Sequence, residues 1–319
     1  MRVMTTLKGA ALAGFAALAS GSAMAQTLEI IGQPQDRGVN LQTAATELAN
    51  DKHFLDNMVL WIITIVTIFV MVLLLIVIVR FNSRSNPVPR KFTHNTPLEI
   101  AWTLVPIIIL IVIGVYSMPA LKKQQTFPEG DVVIKITGNQ WNWTYEYPQI
   151  LDESGSAVSF GSYMIGGNAW DQTLEDGTKL VGNGTLTADA IKGLELAGYA
   201  KEQFLLATDT AMVVPVGKKI LLQITGSDVI HSWTIPAFAV KQDAVPGRIA
   251  LAWFEADKEG IYFGQCSELC GKDHAYMPIT VKVVSQEAYD AWAKQAASTG
   301  EVVLANTPAT DASVSLASN

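Results

Sequence analysis

The chain has 319 residues, half of them hydrophobic and 16% charged, with a formal net charge of −7. So small a charged share is unusual for a soluble globular protein. The acidic surplus, with no extended basic run, excludes a nucleic acid partner, and the length allows one ordinary domain plus membrane segments.

Residues 1–25 read as a cleaved secretory signal. Arg2 and Lys8 give a positive start, and Ala10–Ala19 is an apolar run too short to span a bilayer. Ala23-Met24-Ala25 is a small-x-small cleavage site that leaves Gln26 first, with no Cys to carry a lipid anchor. Residues 26–57 then form an N-terminal exported segment. Met58–Val79 holds 22 residues without a charge, enough for one membrane helix. Ile100–Met118 is a second span, bordered by Glu99 and containing Pro106, which membrane helices tolerate. Residues 58–118 thus form a transmembrane hairpin. Its loop, 80–97, carries Arg80, Arg84, Arg90 and Lys91 and no acid, which places it in the cytoplasm and both mature termini outside. The signal sequence demands the same topology.

Beyond Pro119 the pattern changes to short strands. Asp131–Thr137, Gln140–Tyr147, Ala211–Val216, Lys219–Thr225, Ile230–Ile235, Arg248–Glu255 and Ile279–Val284 are apolar or alternating runs punctuated by Gly and Pro. Such spacing predicts a Greek-key β-sandwich or barrel. Glu287–Gln295 reads as a short helix and Thr299–Asn319 as a tail with no periodic apolar face. In Gln140–Tyr147, Trp141, Trp143, Tyr145 and Tyr147 alternate, so an ideal strand would bury all four on one face. From Pro119 onward there are 14 basic and 23 acidic residues, a balance of −9. Such a face would attract a basic soluble partner.

Both Cys of the chain lie in Cys266–Met277, together with His274 and Met277. Thiolate and thioether are soft ligands that suit copper. Zinc would want four strong ligands and has little use for Met277. A disulfide between Cys266 and Cys270 explains neither His274 nor Met277. A mononuclear blue-copper site takes two His, one Cys and a weak Met. With His231 this segment has that set plus one thiolate. The spare sulfur is explained if Cys266 and Cys270 bridge two metal ions, each with one His as terminal ligand.

The chain resembles subunit II of the haem–copper cytochrome c oxidases. The matching pieces are the two spans, the border Glu99-Ile100-Ala101-Trp102-Thr103-Leu104-Val105-Pro106, the aromatic strand QWNWTYEY, Asp228–Trp233, Lys241–Arg248 and the Cys segment, which cover most of 55–285. The resemblance implies an exported cupredoxin-like Greek-key β-barrel over 119–285 after the two-helix hairpin. It implies two copper ions in the binuclear centre called CuA. Cys266 and Cys270 would bridge them, His231 and Met277 would complete one ion, and His274 and the Glu268 carbonyl the other. The Glu268 side chain would reach a Mg²⁺ or Mn²⁺ ion shared with subunit I. Trp141 matches the family's electron-accepting tryptophan, and Glu99 matches a residue at the mouth of a proton path. Glu146, Asp228 and Asp243 are candidates for docking the carrier. The implied partners are cytochrome c, haem-bearing subunit I, other oxidase subunits and the lipid bilayer of a bacterial inner membrane. The implied function is electron transfer from cytochrome c to haem in subunit I, for O₂ reduction to water coupled to proton pumping. The intact Cys-x3-Cys-x3-His-x2-Met set opposes a copper-free quinol-oxidase subunit or a labile copper chaperone. The spans oppose a soluble nitrous oxide reductase. Shorter family members lack about 38 residues found here between Ile165 and Phe204, an insertion of about 166–203 rich in Gly, Asp and Thr. A surface excursion is the expectation for it. Residues 286–319 complete the chain as helix and tail.

Overall fold

A computed structural model describes residues 28–300 other than Pro89 and Glu175. The expected signal of residues 1–25 and the expected tail beyond Gly300 lie outside the described residues.

Strand β1 (Ile30–Gly32) precedes two long helices, α1 (Glu47–Arg80) and α2 (Thr96–Gln125). Both outrun the predicted apolar spans, because polar residues that suit a helix flank each span and caps fix the starts. Thr46 Oγ1 accepts from the Ala49 N–H. At α2, Asn95 Oδ1 accepts from Leu98 N–H while Glu99 Oε1 accepts from Asn95 N–H. The apolar side chains of both helices are largely exposed, and each helix is long and apolar enough to cross a membrane. Phe54 and Tyr116 meet edge to face at 5.5 Å, and Lys123 pairs with Glu47 and Asp51 at 2.5 and 2.9 Å. The hairpin is tied to the globular part where α1 begins. Thr46 Oγ1 donates to the Phe238 carbonyl, and Ala45 N–H to that of Ala237.

The globular part continues with β2 (Val132–Asn139), β3 (Asn142–Leu151), β4 (Ala157–Ser162), β5 (Asp171–Thr173), β6 (Lys179–Val181), helix α3 (Ala188–Leu196) and β7 (Met212–Pro215). There follow β8 (Lys219–Gly226), β9 (His231–Ile235), β10 (Val240–Ala244), β11 (Ala250–Glu255), β12 (Gly260–Gln265), β13 (Pro278–Val284) and helix α4 (Gln286–Thr299). One sheet runs β11-β8-β2-β3-β4, another β1-β12-β13-β7, and β10-β9 forms a separate ribbon. Strands β2 and β8 alternate buried and half-buried residues, and their inward Ile134, Ile136, Leu222 and Ile224 meet Phe254, Tyr262 and Val281 in one core. Helix α4 closes one end, with Trp292 against Tyr147 at 4.9 Å. This helical hairpin followed by a β-barrel domain is the fold class the sequence implies.

The predicted strands stand, with boundaries moved by a few residues. Strands β1, β4, β5, β6, β10 and β12 have no counterpart among the predicted runs. The insertion is more than an excursion. Its β5–β6 hairpin and α3 enclose a second core of Trp170, Leu180, Leu194 and Tyr199, which packs on Ile261 and Phe263 of β12.

Candidate metal centre

The Cys segment is the loop between the paired strands β12 and β13. Gln265 lies opposite Pro278 in the ladder. Immediately inside, the Cys266 N–H donates to the Met277 carbonyl at 3.0 Å. Cys266 and Met277 therefore stand at the two feet of one closed loop. Ser267 N–H donates to the Ser232 carbonyl, which draws the loop onto β9 and brings His231 to it.

Cys266 Sγ and Cys270 Sγ are 3.8 Å apart, and both thiols are free and buried. His231 Nδ1 lies 3.9 Å from Cys266 Sγ, and the Glu268 carbonyl 3.3 Å from it. His274 Nδ1 lies 3.6 Å and Met277 Sδ 4.0 Å from Cys270 Sγ. His231 and Met277 are buried and His274 is half-buried. All six predicted ligand residues thus gather around the two sulfurs. Among the described His, Cys, Asp and Glu side chains, His231, Cys266 and Cys270 place their donor atoms within 4.8 Å of one another.

The imidazole of His231 is held in one tautomer. Its Nε2 lies 2.8 Å from Asp228 Oδ1, and an ionised carboxylate only accepts, so Nε2 carries the proton and Nδ1 is left for a metal. Asp228 also accepts from the backbone N–H of Gln140 and of Val229. Partial burial opposes its ionisation, but His231 and these N–H groups outweigh that and hold the carboxyl below its ordinary range. Burial lowers the His231 pKa, yet Cys266 and Asp228 raise it further, so the net direction is up. Any side chain at Gly138 would approach the His231 ring to 2.9 Å, so the bare backbone of β2 makes room for it.

The two thiols respond oppositely. Burial pushes Cys266 up, but hydrogen bonding to His231 overcomes it and brings the thiol to about 7. Burial and the neighbouring Cys266 push Cys270 up to about 12. One thiolate forms readily and discourages the second across 3.8 Å. Two thiolates there require positive charge between them, and soft sulfur with imidazole and the Met277 thioether suits copper. The residues present fit such a centre.

Trp141 does not join the aromatic row. Trp143, Tyr145 and Tyr147 are buried as the alternation predicts. However, Asn139 pairs with Asn142, so Gln140 and Trp141 form the hairpin turn and β3 starts after them. Trp141 is half-buried beside the loop, where its Nε1–H donates to the Cys270 carbonyl at 3.2 Å. Gln140 Nε2 donates to the same carbonyl at 2.8 Å, a contact for which no residue-type pattern gave a signal. Among the docking candidates, Glu146 pairs with Lys135 at 2.9 Å and Asp243 with Lys241 at 3.1 Å, while Asp228 serves His231. Glu268 is exposed on the loop, and Glu99 is remote from it in the first turn of α2.

Residues 34–120 match the family model described as cytochrome C oxidase subunit II, transmembrane domain, and 184–284 match that for its periplasmic domain. The cytochrome c oxidase subunit 2 of Cereibacter sphaeroides is 53% identical over 99% of this chain and 100% of its own length. The chain belongs to the cytochrome c oxidase subunit II family. That of Cyanidium caldarium is 35% identical over 80% of this chain and 89% of its own. A solved periplasmic domain of subunit II from Bradyrhizobium japonicum is 39% identical, covers 54% of this chain and 96% of its own, and superposes with a TM-score of 0.39. As subunit II, the chain is part of a haem–copper oxidase complex, an oxidoreductase. Its periplasmic domain implies CuA copper, for which His231, Cys266 and Cys270 are the candidate site. The two span candidates and the periplasmic-domain match fit an inner-membrane protein with a periplasmic domain.

Proposed function

We propose that this subunit takes electrons from cytochrome c at the Cys266–Met277 loop and passes them to haem in subunit I, where O₂ is reduced to water with proton pumping. The observation that carries this reading is the paired sulfurs, ringed by two imidazoles and a thioether, beneath a half-buried indole. Two copper ions bound there would supply a store for one electron. The chain's own residues would do the rest. Cys266, Cys270, His231, His274, Met277 and the Glu268 carbonyl would hold the copper. Asp228 keeps Nδ1 of His231 available, and the surrounding core excludes water. Trp141 shares a hydrogen bond with the Cys270 carbonyl, which supports it as the group through which electrons arrive. The exposed Glu268 carboxylate would hold Mg²⁺ or Mn²⁺ against subunit I, as suits a hard cation. Glu146, Asp228 and Asp243 would contribute to the acidic face that meets cytochrome c. Both mature termini would lie in the periplasm, with Glu99 at the cytoplasmic border as the mouth of a proton path.

The test is electron paramagnetic resonance of the assembled oxidase. One unpaired electron shared by two copper nuclei is expected, and C266S should abolish it, since a hydroxyl does not replace a soft bridging thiolate. A shared-electron spectrum retained by C266S would overturn the assignment.

A further inference from the structure

The inserted segment makes a side-chain hydrogen bond to the metal loop through Asn168. Asn168 lies in the turn that opens the insertion, where Gly167 accepts from the Trp170 N–H and Gly166 accepts from Asn183 and Gly184. Its Nδ2 donates to Asp273 Oδ1 at 2.9 Å. Asp273 is buried, and it begins the short 3-10 turn His274–Tyr276. Within that turn the Tyr276 N–H donates to the Asp273 carbonyl and the His274 N–H to that of Gly271. So the residue gripped by Asn168 directly precedes His274 and sets the turn that ends at Met277.

The grip has a rigid base. Tyr199 of the insertion meets Phe263 of β12 at 6.0 Å, and Trp170, Leu180 and Leu194 share a core with Ile261 and Phe263. Strand β12 runs straight into Cys266. The insertion therefore packs on the strand that delivers the first thiolate and holds the turn that delivers His274 and Met277. A brace spanning both feet of a metal loop restricts how far its ligands move apart.

We propose that the insertion is a brace for the metal loop and that Asn168 is a positioning residue acting through Asp273 on His274 and Met277. This rests on the metal reading of the loop. In N168D a carboxylate would replace the amide donor and face Asp273. Lys272 Nζ, 3.9 Å from Asp273 Oδ2 and itself largely exposed, compensates weakly. The double variant N168D/D273N restores a donor–acceptor pair with the roles exchanged.

The experiment measures the rate of copper loss to a chelator, together with the copper resonance spectrum and midpoint potential, in the assembled oxidase. N168D should lose copper about tenfold faster and shift the spectrum, the size expected when an outer-shell partner is removed. N168D/D273N should return both toward the parent values. Parent-like copper retention and spectrum in N168D would overturn the brace, as would a double variant no better than N168D. A parent complex with no shared-electron copper signal would instead overturn the metal reading itself.

Discussion

Asp209 is a buried carboxyl where the insertion rejoins the barrel. Its Oδ1 accepts N–H groups from Tyr163 and Thr210 at 2.8 and 2.7 Å. Burial nevertheless dominates and pushes its pKa up to about 7. A carboxyl raised in the folded state favours folding below its unfolded pKa, and that contribution is lost as pH rises through the folded value. From about pH 4 to about pH 7 Asp209 should thus remove up to about 4 kcal/mol. D209N keeps the Oδ1 acceptor without the charge. Melting of the purified complex should show the variant gaining on the parent as pH rises from 5 to about 8. A difference that does not change with pH would refute this. The same scale shows what alternation reveals and hides. The period of two placed Trp143, Tyr145 and Tyr147 inside, but only the pairing of Asn139 with Asn142 shows that Trp141 belongs to the turn.

At the level of elements, α2 gives Glu99 a structural task beside the proposed one. Its carboxylate accepts the Asn95 N–H at the start of the helix. Alanine removes both the cap and the ionisable group, whereas E99Q retains an acceptor and removes the charge. If Glu99 feeds a proton path, E99Q and E99A should both slow steady-state O₂ reduction by about tenfold or more. The copper spectrum should stay unchanged, because the metal loop lies across roughly 30 Å of bilayer. A near-normal turnover in assembled E99Q complex would leave only the cap. Strand β12 was not legible for a physical reason. The insertion covers its Ile261 and Phe263 while Tyr262 faces the barrel core, so no polar face exists to alternate.

Across the whole molecule the surplus charge lies on the exported part, −9 from Pro119 onward. The three acids singled out for docking are each engaged by His231, Lys135 or Lys241, so the proposed steering would rest on the summed field more than on any one of them. Reaction with a basic cytochrome should slow severalfold as salt rises and screening lengths shrink from ~10 Å at 0.1 M to ~3 Å at 1 M. Stopped-flow rates that ignore salt would exclude steering.

The sequence by itself determined the membrane hairpin, because some twenty uncharged apolar residues have no other solvent. It also marked the candidate metal site, because two thiols, an imidazole and a thioether within twelve residues, joined by His231, point to one kind of chemistry. What only the tertiary structure decided were the contacts made between distant segments. Asp228 on His231, Gly138 making room for that ring, Trp141 on the Cys270 carbonyl and Asn168 on Asp273 have no signature in residue type or spacing. Each depends on where the backbone brings two strands or loops together, and local patterns carry no record of that.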